Sequence, residues 1–364
     1  MSNLSNITVV LPSLDPDTKL LTVINGLLGY GFTDIILVND GSKPENLHYF
    51  QQAALHPEVH LLHHETNLGK GAALKTAFRW FLDHRPHSAG IITVDGDNQH
   101  HPEDTKVCAL RMMETRKIVL GVRDFSQPDV PARSRSGNRI TSSVFKLFVG
   151  MTLSDTQTGL RAIPRATLPL LCDVYGDRFE YETNMLLAMK THRLEYEELP
   201  IRTVYIEENK SSHFRAVRDS WRIYKLIFGH FFRYALSAVV SFIVDEGLYI
   251  LLTHLLNSVL SGFLLTAVPV AVARAVSSFI NFLINQKLVF QAKGSTAKAL
   301  LRYYLLAVPL AIAQLGLTYG AVTLLQISPD QTLLRGFTYA VVMGVLFIIS
   351  YVIQQRWVFT DKQK

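Results

Sequence analysis

A chain of 364 residues that is 48% hydrophobic and only 18% charged is more apolar than a wholly soluble chain usually is, and its length predicts two or three domains. The net charge of +6 does not mark a nucleic-acid binder, because the basic residues cluster beside apolar runs rather than among exposed aromatics. An anionic lipid surface is the expected partner, and with only two cysteines, Cys108 and Cys172, neither a disulfide framework nor a zinc site is indicated. Nearly all carboxylates precede Glu208, whereas the remainder consists of long apolar runs with Lys and Arg at their ends, so a soluble head and a membrane tail are expected. No charged segment followed by an apolar run opens the chain, and no signal peptide is expected.

In the head, Ile7-Thr8-Val9-Val10-Leu11 reads as a β-strand that Pro12 should stop. An Asp15-Pro16-Asp17 turn follows, then a helix carrying Leu20, Val23, Ile24, Leu27 and Leu28 at helical spacing. Ile35-Ile36-Leu37-Val38 repeats the pattern and ends in Asn39-Asp40-Gly41-Ser42. A short strand near Val59 to Leu62, a Gly69-Lys70-Gly71 turn and a helix from Ala72 to about Leu82 come next. Strands alternating with helices predict a doubly wound, mostly parallel α/β sheet.

Ile91-Ile92-Thr93-Val94 then runs into Asp95-Gly96-Asp97-Asn98-Gln99. Open α/β sheets bind ligands outside the carboxyl ends of their strands, so Asp95 and Asp97 stand where a metal would. With the Gln99 amide oxygen they form a hard-oxygen set for Mg²⁺ or Mn²⁺, and Gly96 allows the tight turn between them. The competing reading is a helix-entry turn, since Pro102-Glu103-Asp104 looks like an acidic first turn. On the neighbouring strand ends, Asp40 can accept hydrogen bonds from a base or ribose and Lys70 can approach phosphate. Neither Gly-x-Gly-x-x-Gly nor a phosphate loop of the Gly-x-x-x-x-Gly-Lys-Ser/Thr kind is present. The adjacent pairs His63-His64 and His100-His101 cannot both face one ion, which assigns them to the surface or to the surroundings of the site. Glu180 and Glu182 would share one face of a strand, where one can orient donor hydroxyls; the alternative is an acid cluster at a helix start.

Five blocks, Leu11-Pro12-Ser13, Val38-Asn39-Asp40-Gly41-Ser42, Asn67-Leu68-Gly69-Lys70-Gly71, Asp95-Gly96-Asp97-Asn98-Gln99-His100 and Asp155-Thr156-Gln157-Thr158-Gly159-Leu160-Arg161, fall in a fixed order. In that order and spacing, residues 7 to about 205 resemble family-2 glycosyltransferases of the dolichyl-phosphate mannosyltransferase-like branch. The resemblance implies a GT-A fold, a nucleotide-sugar donor bound near Pro12, Asp15, Asp40, Lys70, Asp95 and Glu180, a divalent metal on the donor diphosphate, and a polyprenyl phosphate acceptor. It also implies that Arg123, Arg139 and Ser143 hold the acceptor phosphate and act in catalysis with Asp97. Two blocks depart from the family pattern. Pro12-Ser13-Leu14-Asp15-Pro16 stands where Pro-Ala-Tyr-Asn-Glu is usual, and Lys210-Ser211-Ser212-His213-Phe214 lacks the Gly-x-Ser-Lys of the acceptor loop. An ionised lipid phosphate attacks an anomeric carbon without a protein base, so no paired acid and base are expected.

Residues 208–230 read as a basic amphipathic helix, with Phe214, Val217, Trp221, Tyr224 and Phe228 on one stripe and Arg215, Arg218, Arg222 and Lys225 beside it. Four apolar segments follow, at about 231–256, 262–286, 300–326 and 332–356, each long enough to cross a bilayer core of about 30 Å. Lys and Arg are dense before the first, between the second and third, and after the fourth, which places both termini and the head in the cytoplasm of a multi-pass cell-membrane protein. The tail repeats itself: Lys287-Leu288-Val289-Phe290 matches Arg356-Trp357-Val358-Phe359, and Arg233-Tyr234-Ala235-Leu236 matches Arg302-Tyr303-Tyr304-Leu305. Two such hairpins over residues 231–359 resemble the GtrA family, which implies membrane anchoring or translocation of a lipid-linked sugar. Asp245 and Arg274 share a depth in this region and are expected to pair, as a helix-locking salt bridge or as a functional site. The expected domains are therefore 1–207, 208–230 and 231–359. The expected activity is metal-dependent, inverting transfer of a hexose from a nucleotide sugar to polyprenyl phosphate for cell-envelope glycan synthesis, with self-association left open. A transporter of the lipid-linked sugar, using the head for recognition, is the alternative.

Overall fold

A computed structural model describes residues 4–127, 130, 132–202, 216–292, 294–329 and 331–360. The 210–214 loop, and with it His213, lies outside the described residues, as do Lys293, Lys362 and Lys364. The chain divides into two compact units, Met1–Leu226 and Ile227–Lys364.

The head is built on a seven-stranded sheet of order β3-β2-β1-β4-β6-β5-β7. Its strands are β1 (Ile7–Ser13), β2 (Ile35–Asp40), β3 (Val59–His64), β4 (Gly90–Thr93), β5 (Ile118–Arg123), β6 (Arg161–Pro164) and β7 (Tyr196–Ile201). Only β6 runs against its neighbours β4 and β5; the other pairings are parallel. Helices cover both faces, which explains why the central strands are apolar without alternation. Val9, Leu11, Ile35 and Leu37 point into one core, with Leu20, Ile24 and Leu27 of α1 (Lys19–Gly29) and Cys108 and Met112 of α4 (Pro102–Thr115). Val10, Ile36 and Val38 point into the other, with Ala77, Phe78 and Phe81 of α3 (Lys70–His84), Leu171 of α6 (Leu168–Cys172) and Tyr181 and Met185 of α7 (Glu180–Thr191). The short α2 (Leu47–Ala53) links β2 to β3, and α5 (Ala132–Val144) follows β5.

Two local readings are corrected. Pro12 does not stop β1, which runs on to Ser13 beside Asn39. The Val9 N–H points toward β2, so by alternation the missing N–H of Pro12 lies on the β4 side, where pairing has already ended at Val10 and Thr93. Helix α3 begins at Lys70 rather than Ala72. Glu180 and Glu182 open α7, the helix-start alternative of the two readings.

In the second unit, α8 (Ala216–Leu256), α9 (Gly262–Ile284), α10 (Thr296–Leu324) and α11 (Thr332–Ile353) supply four apolar spans, Phe231–Leu256, Gly262–Val289, Thr296–Leu324 and Thr332–Val358. The side chains of 216–227, where the amphipathic stripe was expected, are outside the described ones. The repeat seen in the sequence is also a repeat of structure. Both α9 and α11 end in a π-helical turn, Asn285–Val289 and Gln354–Val358. Asn285 Nδ2 donates to Gln354 Oε1 at 3.2 Å across a separation of 69 residues, and Phe290 stacks on Phe359 at 5.1 Å. Tyr303 donates to Asn281 at 3.0 Å as Tyr234 donates to Ser350 at 2.9 Å. The halves differ in polarity. Ser237 and Ser241 hydrogen-bond Asn285 and Asn281 in the first hairpin, whereas Leu306 and Leu310 stand at the matching positions of the second. Farther along the same seam, Arg274 and Asp245 are 3.0 Å apart, and Ser277 Oγ donates to Asp245 at 2.8 Å.

Candidate active site

The carboxyl ends of β1, β2 and β4 gather one polar pocket. Asp95 leaves β4 and is packed against the backbone of Gly159, where a Cβ would stand 2.2 Å from the carboxylate. Only glycine lets the 155–160 loop approach so closely. The Lys70 ammonium, at the first residue of α3, lies 2.8 Å from Asp95 and 3.0 Å from Glu182. That helix starts where it does because Gly69 takes φ 108°, and its missing Cβ leaves room for the Asp177 carbonyl.

Burial alone would raise the Asp95 carboxyl, but Lys70, His100 and Arg123 overcome it and hold the group down at about 2. Burial and the negative charge of Asp95 together push Asp97 up to about 6. The loop between them is tied by Gln99 N–H donating to Asp97 Oδ1 at 3.1 Å. Burial lowers the pKa of His100, favouring the neutral ring, and its Nδ1 accepts from the Asp95 N–H at 3.4 Å. His101 serves elsewhere: its ring nitrogen caps α4 by accepting from the Glu103 N–H. The Asp95–Asp97 loop and the helix-entry turn are thus consecutive features, not alternatives.

Arg123, at the end of β5, holds the fully buried Asp155 by two hydrogen bonds of 2.7 and 3.1 Å and lies over the Phe125 ring. Phe125 in turn lines a cavity of about 470 Å³ whose wall includes Asn138, Arg139, Ser142, Ser143 and Lys146. Arg139 and Ser143 are one helical turn apart on α5, so both face it. Asn138 Oδ1 and Ser142 Oγ are buried there with no hydrogen-bond partner among the described residues.

The pocket unites Asp95, Asp97 and Lys70, and the cavity unites Arg139 and Ser143. Other expected site residues are otherwise engaged. The Asp40 carboxylate accepts from the Leu68 and Gly69 N–H groups and contacts His64 Nδ1 at 2.7 Å, so it shapes the turn carrying Lys70. Asp15 accepts from Lys43 N–H and Asn46 Nδ2, which fixes it to the loop after β2. Glu180 sits at the helix start, and its neighbour Glu182 is the carboxylate that reaches Lys70. Arg161, buried, donates to the carbonyls of Thr158 and Glu182, tying the glycine loop to α7 and aiming Glu182 inward. In the sequence Asp155 and Arg161 stood out only as the ends of one block and Glu182 only as the companion of Glu180; nothing there indicated the contacts they make.

Residues 8–168 match the model of glycosyl transferase family 2, and residues 233–359 match the GtrA/DPMS transmembrane domain. An uncharacterized protein of Methanocaldococcus jannaschii is 30% identical over 230 residues, covering 62% of this chain and 92% of the relative. The UDP-N-acetylglucosamine–dolichyl-phosphate N-acetylglucosaminyltransferase of Methanococcus voltae is 26% identical, over 55% of this chain and 86% of its own. Among solved structures, glucosyl-3-phosphoglycerate synthase from Mycobacterium tuberculosis, in complex with Mn²⁺, UDP and glucosyl-3-phosphoglycerate, aligns with a TM-score of 0.44 and 13% identity over 61% of this chain and 78% of that one. With a GT-A head of mostly parallel strands followed by four apolar helices, this membrane protein belongs to glycosyl transferase family 2, joined to a GtrA/DPMS transmembrane domain.

Proposed function

We propose that the chain transfers a hexose from a nucleotide-diphosphate sugar to a polyprenyl phosphate at the cytoplasmic face of the cell membrane, with inversion at the anomeric carbon. The observation that carries this reading is the joining of an acidic pocket bearing Lys70 to a basic cavity bearing Arg139, with Arg123 between them. The Methanococcus voltae relative, named for a dolichyl phosphate acceptor, supports the acceptor class. The two buried polar atoms of Asn138 and Ser142 support a ligand in the cavity, since protein groups rarely stay unpartnered in a dry interior.

The donor diphosphate would lie against Asp95 and Asp97, and Lys70 would turn from its carboxylates toward phosphate. A divalent cation suits this pocket. Asp95 already holds a cation in the Lys70 ammonium, and the raised Asp97 carboxyl marks a negative charge that the protein leaves poorly compensated. Among the described residues no three of His, Cys, Asp and Glu are gathered as a metal site. Asp95, Asp97 and Gln99 would therefore hold Mg²⁺ or Mn²⁺ together with donor oxygens. When bound, the ion would neutralise charge on the departing nucleoside diphosphate. Arg139 and Ser143 would hold the acceptor phosphate, and Arg123, fixed by Asp155, would keep the two anions in register. One phosphate oxygen forms a bond to the anomeric carbon as the bond from that carbon to the diphosphate oxygen breaks, and this single displacement inverts the centre. The cytoplasmic placement rests on the Lys and Arg that flank the spans on one side.

The test is a panel of labelled nucleotide sugars offered to the full chain in detergent micelles with polyprenyl phosphate and Mn²⁺ or Mg²⁺. One donor should yield labelled lipid and free nucleoside diphosphate. Transfer to sugar hydroxyls in preference to lipid phosphate, or no donor consumption at all, would overturn the reading; the second result is what a transporter would give.

A further inference from the structure

The middle of the membrane domain carries a charge that its own fold leaves unmatched. Asp245, Glu246 and Arg274 all lie near the midpoints of their spans, Phe231–Leu256 and Gly262–Val289. At about 1.5 Å per residue that is the centre of a bilayer core. Asp245 is buried and takes a hydrogen bond from Ser277 as well as the ion pair with Arg274. Glu246, one position on, turns about 100° around the helix to the exposed side, and among the described residues nothing pairs with it. The Arg274 side chain is 74% exposed. Its ion pair with Asp245 leaves most of its five N–H donors unused. Hydrocarbon can solvate neither group, and intramembrane ionisable residues normally face a polar partner.

We infer that the membrane domain pairs with a second copy of itself about a two-fold axis along the membrane normal, with each Arg274 meeting the partner's Glu246. Three features favour this occupant. The two groups share a depth and lie on adjacent helices of one exposed face, so a single patch is self-complementary, as an isologous contact requires. The surrounding surface offers packing area: Phe242 and Ile250 are exposed one turn on either side of Glu246, and Val270 is exposed one turn before Arg274, so a partner helix gains van der Waals contact around the two charges. An anionic lipid satisfies only Arg274, keeps its phosphate at the interface rather than the core, and would leave Glu246 bare. In the pair each guanidinium serves two carboxylates, its own Asp245 and the partner's Glu246. The pairing does not depend on the chemistry of the head.

The test uses the full chain with Cys108→Ala and Cys172→Ala, reconstituted in phosphatidylcholine vesicles and diluted with lipid. Ile250→Cys, one turn from Glu246 on the same face of α8, should cross-link to a dimer on oxidation, whereas Leu315→Cys, exposed on α10, should not. Adding Glu246→Leu, which removes no contact within one chain, should weaken association by at least about tenfold while leaving the thermal midpoint of the dissociated chain unchanged. Labelled wild-type chain should bleach in two steps at dilutions where the Glu246→Leu chain bleaches in one, a measurement that needs no added cysteine. Equal cross-linking at both cysteines, indifference to Glu246→Leu, single-step bleaching of the wild type, or dimers that form only when anionic lipid is present would each overturn the proposal.

Discussion

Lys70 Nζ lies 2.8 Å from Asp95 Oδ1 in a pocket that the protein closes around them with a glycine on either side. Gly69 permits the turn that starts α3, and Gly159 permits the loop that presses on Asp95. The pair is mostly buried, and Glu182 completes it from the opposite side. A buried charge that loses its partner costs about 3 kcal/mol or more. Lys70→Met should therefore lower the thermal midpoint of the head markedly, because two carboxylates would remain without a cation. It should also raise the KM for the nucleotide sugar. A variant as stable as the wild type would show that Asp95 and Glu182 are relieved by water, and calorimetry decides it.

Asp97 should respond to pH and to divalent cations in one linked pattern. Its carboxyl is raised to about 6 by burial and by Asp95, so the folded state disfavours ionisation. Below about pH 4 the group is protonated whether the chain is folded or not, and its contribution to stability is intact. As pH rises through 6 the unfolded chain gives up the proton more readily, and that contribution is lost. Asp97→Asn removes the titration. The variant's thermal midpoint should thus gain on the wild type between pH 4.5 and pH 7.5. Mn²⁺ should raise the wild-type midpoint at pH 7.5 and leave that of the variant nearly unmoved, and transfer by the variant should be abolished. Normal turnover by Asp97→Asn at saturating Mn²⁺ would remove Asp97 from the metal site.

What could be read in the sequence was what local chemistry sets. Apolar strands ending in acids located the sheet edge, Asp95, Asp97 and Lys70, because strand ends and glycine turns carry their own signals. The four spans came from length and hydropathy alone. The part Asp40 plays in the turn could not be read, because the N–H groups it accepts from belong to residues 68 and 69, which lie far along the chain from it. Glu182 and Arg161 were named in the sequence but their contacts were not legible there: their partners lie across the fold, and no spacing announces such a contact. Pro12 was read as a strand stop since a proline usually ends a ladder, and only the early end of β4 makes it harmless.

Arg123 and Arg139 should fail in different ways. Arg123 is committed to the fully buried Asp155 through two hydrogen bonds, whereas Arg139 is exposed and faces the cavity. A lysine cannot reproduce a bidentate fork at either place. Arg123→Lys should lower the thermal midpoint along with activity. Arg139→Lys should leave the midpoint and the donor KM unchanged and raise the KM for polyprenyl phosphate by about tenfold, the worth of one charge-assisted hydrogen bond. Initial rates with each substrate varied in turn separate the two cases, and a matching rise in donor KM for Arg139→Lys would move it to the nucleotide side.

The Arg274–Asp245 ion pair, 3.0 Å apart, joins α8 to α9 at the centre of the membrane domain, and Ser277 adds a hydrogen bond to the same carboxylate. The second hairpin has nothing comparable: at the matching positions stand Gln314, Met343 and Leu346. Only the first hairpin therefore depends on a charge for its packing. Asp245→Leu strips Arg274 of its partner, and Arg274→Leu strands a buried carboxylate, so either change should reduce the yield of folded protein from the membrane. Exchanging the two, Asp245→Arg with Arg274→Asp, restores opposite charges at the same depth and should recover much of the folded yield. The exchange should not restore association between chains, because an aspartate at 274 would face the partner's Glu246. Size-exclusion profiles after detergent extraction give the first quantity, and bleaching steps in diluted vesicles give the second. A swapped chain that folds no better than the single variants would show that the pair is locked by its surroundings rather than by its charges.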